Sequence, residues 1–148
     1  MKSVISNNTQ KSSELNHRKV KIFLGEDDLD DQDFFKVAFE TIGVAYEIIC
    51  FTNGRQMLDE LESMPDGALP SLIVLDYNLP ILSGAEILKL LSQNGRYKNI
   101  PKIIWSTSNS PSFKSRCLEN GAADYIVKPS DVEGLKRTGL QMQVYINK

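Results

Sequence analysis

Five side chains able to do chemistry stand where short apolar runs stop. Asp76 closes Ser71-Leu72-Ile73-Val74-Leu75, and Glu26-Asp27 follow Lys21-Ile22-Phe23-Leu24-Gly25. Ser106 ends Lys102-Ile103-Ile104-Trp105, and Lys128 follows Tyr125-Ile126-Val127. Runs of this kind form strands of parallel sheets covered on both faces, and such sheets bind ligands at the carboxyl ends of their strands. Asp76 is therefore a candidate reactive group at the mouth of a sheet.

If the first and third strands are neighbours, Glu26 and Asp27 face Asp76 across one crevice. Three carboxylates there repel, and all stay ionised only with a cation between them. A few hard oxygens beside solvent suit Mg²⁺. A hydroxyl at Ser106 and an ammonium at Lys128 suit the oxygens of an anion held at Asp76. The set fits phosphoryl transfer, with Asp76 as nucleophile and Lys128 and Ser106 on the equatorial oxygens. Taken singly, each residue has a plainer reading. Acids decorate loops, Ser and Thr end strands at turns, and a Lys before Pro is usually an exposed loop residue. Asp28, Asp30, Asp31 and Asp33 read as charges favoured at a helix start.

The elements that must position these residues alternate five times. Strands are expected at Val20–Gly25, Tyr46–Phe51, Leu72–Leu75, Lys102–Ser106 and Asp124–Val127. Helical spacing joins Phe34, Val37, Ala38 and Ile42 after Asp30-Asp31. It joins Met57, Leu58 and Leu61 after Thr52-Asn53, and Ile87, Leu88 and Leu91 after Ser83-Gly84. Ser110-Pro111 opens a fourth helix, and Ser130-Asp131-Val132-Glu133 spells a capping box for the fifth. Gly134 and Gly139 weaken that last helix by roughly 1 kcal/mol each, so it should depend on packing. The alternation predicts an α/β fold: a doubly wound, five-stranded parallel sheet with helices on both faces, flavodoxin-like in class.

The chain of 148 residues fits one domain, which buries roughly 70% of its unfolded surface and needs no staples. Residues 1–19 read as a flexible tail and 20–148 as the domain. The net charge of −2 argues against a broad nucleic-acid face, so no direct DNA binding is expected. No apolar stretch spans a membrane, and the start lacks a signal peptide's apolar core. Cys50 and Cys117 read as reduced thiols of a cytoplasmic protein. His17, the one histidine, falls in the tail, so no histidine base serves the domain.

The set resembles the receiver domains of two-component response regulators. The resemblance covers about residues 20–146. It rests on Glu26-Asp27, on Asp76-Tyr77-Asn78-Leu79-Pro80 with Gly84, on Ser106-Thr107 and on Lys128-Pro129. It implies that Asp76 is a phosphoacceptor, served by a histidine kinase, a histidine phosphotransfer protein or a small phosphodonor. It implies Mg²⁺ held by Asp27, by Glu26 mainly through water, by Asp76 and by the Asn78 backbone carbonyl. Ser106 would bond the phosphoryl group, Lys128 would pair with it, and Tyr125 would act as an aromatic switch. A cis Lys128–Pro129 bond is expected. Thr107 stands where Ala is usual and would narrow phosphodonor access. Asn78 and Ser108 would tune the lifetime of the acyl phosphate.

The resemblance also implies a change in the face made by the fourth helix, fifth strand and fifth helix. With no output domain expected after Lys148, output would pass to another protein, to a relay or to a phosphorylation-dependent homodimer. Stand-alone receivers that partner phytochrome-type kinases look similar at the Asp-rich helix start and at Ser106-Thr107-Ser108. Two other classes compete with this reading. An aspartyl phosphatase needs a second Asp two residues after the nucleophile, where this chain has Asn78; the protein should therefore not turn over substrate. A flavodoxin-like cofactor module needs a phosphate cradle after the first strand, where Glu26-Asp27-Asp28 would repel phosphate.

Overall fold

The computed structural model describes residues 20–147, and the expectations placed on Met1–Lys19 lie outside them. Five strands, β1 (Lys21–Gly25), β2 (Glu47–Phe51), β3 (Leu72–Leu75), β4 (Lys102–Ser106) and β5 (Asp124–Val127), alternate with five helices. These are α1 (Leu29–Glu40), α2 (Gly54–Ser63), α3 (Gly84–Ser92), α4 (Pro111–Glu119) and α5 (Val132–Ile146). The strands form one parallel sheet in the order β2-β1-β3-β4-β5. The expected doubly wound fold is the observed one. Among the described residues no helix is long and apolar enough to cross a membrane.

The period of a strand divides the core in two. Phe23, Ile73, Leu75, Ile104 and Tyr125 face α2, α3 and α4. Ile22, Leu24, Leu72, Val74, Ile103, Trp105 and Ile126 face α1 and α5. Every residue of β3 and β4 is buried, as the continuous apolar runs require, while the edge strand β2 is only half-buried along most of its length. The order of the strands reverses between β1 and β3. There Gly25 pairs with Leu75, and Asp76 N donates to Gly25 O at 2.9 Å, so Glu26 and Asp76 emerge side by side.

Short polar side chains start each helix. Asn53, Ser83 and Ser110 cap α2, α3 and α4, Ser83 in a full capping box with Glu86, and Pro111 opens α4. Two starts differ from expectation. Asp28 caps α1, accepting from Asp31 N, so Asp30 and Asp31 lie within its first turn. In α5 the cap is Asp131, not Ser130: Asp131 Oδ1 accepts from Gly134 N at 2.7 Å. The carboxylate accepts an orphan N–H of the first turn, as the serine would have done one residue earlier, and adds charge at the positive end of the helix.

The glycines of α5 have a packing role that helix propensity hides. A Cβ on Gly139 would lie 2.4 Å from Ala38 O of α1, and one on Gly134 would lie 2.5 Å from Pro129 Cβ. α5 crosses α1 at backbone contact distance. Gly139→Ala gains roughly 1 kcal/mol of helix propensity but forces a shift that costs about 1–3 kcal/mol. The variant should therefore be less stable than the parent by about 1 kcal/mol, read as a lower urea midpoint at unchanged slope. A higher midpoint would show that the two helices can part without cost.

Candidate acidic site at the strand ends

The β1–β3 switch point gathers the acids. One oxygen each from Glu26, Asp27 and Asp76 lies within 4.8 Å of the others. Glu26 and Asp76 are buried, at 1% and 8% exposed, while Asp27 faces solvent. Burial fixes Glu26 further: its Oε2 accepts from Asp28 N at 3.2 Å, and its backbone O accepts from Gln32 Nε2 at 2.7 Å. Asp76 Oδ1 accepts from Asn78 N at 3.1 Å. The Asn78 side chain is exposed.

β5 delivers the ammonium. Lys128 N donates to Ser106 O at 2.7 Å, which extends the β4–β5 ladder by one residue. Lys128 Nζ then reaches Glu26 Oε1 at 2.6 Å, Asp31 Oδ2 at 3.0 Å and Asp76 Oδ2 at 3.1 Å. Three donors meet three carboxylates, so the ammonium has no hydrogen left over. The Lys128–Pro129 bond is trans, like every peptide bond among the described residues, against the expected cis. A trans X–Pro bond is favoured locally by about 0.5–1 kcal/mol. With the lysine already seated on Ser106 O and on the acids, the site gives no reason to reverse that preference.

Asp31 is the residue that sequence reasoning misses. In sequence it is one of four helix-start charges, yet it bonds Lys128 directly. The signal that could have found it is the cap: with Asp28 at the cap position, Asp31 is the third helical residue and turns towards the end of β1.

Ser106 is fully buried, and its Oγ accepts from Ser108 N at 3.1 Å, which shapes the β4–α4 loop. Thr107 beside it is exposed. Tyr125 is 5% exposed, and its hydroxyl donates to Ser108 O at 2.8 Å. The two residues are thus joined through one loop. Tyr77, next to Asp76, stacks on Phe113 of α4 with centroids 4.6 Å apart. Beneath the lysine, Nζ lies 5.0 Å from the centre of the Trp105 ring, and the Trp105 indole N–H has no hydrogen-bond partner among the described residues. Gly84 lets α3 begin against Asp76, since a Cβ there would meet Asp76 O at 2.3 Å.

The electrostatics are unbalanced. Glu26, Asp27, Asp31 and Asp76 bring four carboxyl groups to a site with the one ammonium of Lys128. Burial pushes the Glu26 carboxyl up to about 7; the Lys128 hydrogen bond opposes this and the Asp76 charge adds to it. Burial alone would lower the Lys128 amine. The hydrogen bonds it donates to Glu26 and Asp31 and the charges of Asp76 and Glu26 outweigh it, and the amine stands above its ordinary value. A donor set of hard oxygens with surplus negative charge fits a divalent cation of the Mg²⁺ type.

This geometry has known counterparts. Residues 22–138 match the response regulator receiver domain. The chain is 39% identical over 93 residues to the two-component response regulator ORR11 of Oryza sativa subsp. indica, a match covering 61% of each chain. The match therefore spans less than two thirds of that relative's length. Its fold is similar to that of the phosphorylated cyanobacterial phytochrome response regulator RcpA, with TM-score 0.76 and 25% identity, covering 88% of this chain and 95% of that one. It is also similar to the Mn(2+)-bound form of response regulator Rcp1, with TM-score 0.72 and 25% identity over 84% of this chain and 91% of that one. Acids at β1 and β3, a hydroxyl at β4 and a lysine at β5 are thus carried on a receiver fold, and the chain belongs to the response regulator receiver domain family of two-component signalling.

Proposed function

We propose that this receiver takes a phosphoryl group onto Asp76 from a histidine kinase, a histidine phosphotransfer protein or a small phosphodonor. The observation that carries the reading is the meeting of Asp76, Glu26 and Asp27 within 4.8 Å while Lys128 Nζ stands 3.1 Å from Asp76. A carboxylate oxygen of Asp76 forms the new bond to phosphorus. The bond from phosphorus to the donor's nitrogen or oxygen breaks, and the leaving group departs with the electron pair. Lys128 exchanges carboxylate partners for a phosphoryl oxygen, and the Ser106 hydroxyl turns to another.

Glu26, Asp27, Asp76 and the Asn78 backbone carbonyl would hold Mg²⁺, which when bound shields the charge of two anions that must meet. Asn78 offers no carboxylic acid, in keeping with a phosphoacceptor rather than a turnover enzyme. Its side chain and that of Ser108 would set the lifetime of the acyl phosphate.

The readout would run through Ser106, Ser108 and Tyr125 to the face of α4, β5 and α5. Val127, Val132, Leu140 and Val144 leave exposed apolar surface on β5 and α5, which supports a protein partner there, or a second phosphorylated copy. A cytoplasmic setting fits the two free cysteines. The direct experiment is intact mass after incubation with acetyl phosphate and Mg²⁺: one labile phosphoryl group should appear, and no adduct would count against Asp76 as acceptor.

The titration of Glu26 sets the pH window for metal. Its carboxyl is raised to about 7 in the folded chain, so its proton stabilises the metal-free fold below its unfolded value of 4.5. That contribution is lost as pH rises through about 7. Metal binding has the opposite sign, because the ion must displace the proton. Mg²⁺ should bind roughly tenfold more weakly at pH 6 than at pH 8, and level off above that. Trp105, the only tryptophan, lies under Lys128 and should report the titration by its fluorescence. An affinity flat across this range would remove Glu26 from the metal site.

A further inference from the structure

A second lysine is buried at the other end of the sheet. Lys102 opens β4 and is 5% exposed. Its Nζ donates one hydrogen bond to the protein, to Tyr97 O at 2.6 Å. Among the described residues no carboxylate forms an ion pair with it, and burial alone pulls its amine below the usual value. Buried ammonium groups are ordinarily paired with an anion. At Lys128, past the carboxyl end of the neighbouring strand, the same fold supplies three such partners.

Lys102 lines a cavity of about 640 Å³, where the amino ends of β3, β4 and β5 come together. Lys98, Ser71 and Asn99 add polar groups to its wall, and Pro101 and Ile146 add apolar surface. That volume lies within the range of small-molecule sites and exceeds what a bare inorganic anion fills. Two lysines with a mixed polar and apolar wall suit an organic ligand carrying an acid group at one end.

We infer that this cavity is a binding site for a small organic anion, its phosphate or carboxylate head on Lys102 Nζ and its body against the apolar wall. The site is separate from Asp76, because it lies at the opposite ends of the strands. It does not depend on phosphoryl transfer.

The test is a titration of the isotopically labelled chain, followed by amide and lysine side-chain resonances. Phenyl phosphate and phenylacetate serve as probes, with inorganic phosphate as the head alone and benzyl alcohol as the uncharged body. One or both organic anions should shift Ser71, Lys98, Asn99 and the Lys102 Nζ saturably and more tightly than inorganic phosphate, the tighter probe assigning the head group. Lys102→Met keeps the aliphatic stem and should weaken that binding roughly tenfold or more. Asp76→Asn should leave it unchanged. Should the methionine variant fail to fold, the Lys102 Nζ shift in the parent decides the same point. The inference is overturned if no probe saturates these resonances, if benzyl alcohol binds as well as the anions, or if Lys102→Met binds like the parent.

Discussion

Asp76→Asn should leave the chain folded but unable to take up a phosphoryl group from acetyl phosphate and Mg²⁺. The amide is close to isosteric, and its oxygen can still accept the Asn78 N–H that Asp76 Oδ1 accepts at 3.1 Å. The proposed nucleophile would be lost, because an amide oxygen carries no negative charge and its attack would leave a cationic adduct. The effect on labelling should be complete within detection, larger than for any other single change at the site. Stability should move the other way. Three carboxylates share one ammonium and Asp27 stands beside them, so deleting one charge relieves repulsion, and the metal-free variant should melt no lower than the parent. Intact mass and thermal melting check both halves. A labelled Asp76→Asn would place the acceptor elsewhere in the acidic cluster.

Much of this site is legible in the sequence, for a physical reason. A buried parallel strand is a short, continuous apolar run, so the residue that ends it stands out. Glu26, Asp76, Ser106 and Lys128 all announce themselves in that way, and the sheet order then brings them together. Other features are hidden because they depend on contacts between elements far apart in the chain. Asp31 meets Lys128 across 97 residues, and only the rotation of α1 about its Asp28 cap decides that it does. Gly139 reads as a weak helix residue until Ala38 O is found where its Cβ would be. The burial of Glu26 comes from elements folded over it, not from its neighbours Asp27 and Asp28, which are exposed. Nothing in the sequence marks the Lys102 amine, and only the packed fold shows that it is buried with a carbonyl partner.

The second large effect belongs to Lys128, and it separates the ion pairing of its ammonium from the phosphoryl contact proposed for it. In the metal-free chain Lys128 is the sole cation bonded to Glu26, Asp31 and Asp76 among the described residues, with its side chain 7% exposed. Lys128→Met preserves the stem over Trp105 and removes the charge. Breaking a buried pair by deleting one partner costs about 3–5 kcal/mol, because the remaining charges have no counterion. Part of that loss is returned by proton uptake at Glu26, whose carboxyl is already raised to about 7, so the deficit should be smaller at pH 6 than at pH 8. Millimolar Mg²⁺ should restore more of it, since a cation bound only by the folded state stabilises by mass action. Phosphoryl uptake should not recover with stability, because the partner for the phosphoryl oxygen is gone. Melting at the two pH values with and without Mg²⁺, beside acetyl phosphate labelling, reads all three. A variant as stable as the parent at pH 8 without metal would mean that solvent neutralises the acids and that the buried lysine serves the phosphorylated state alone.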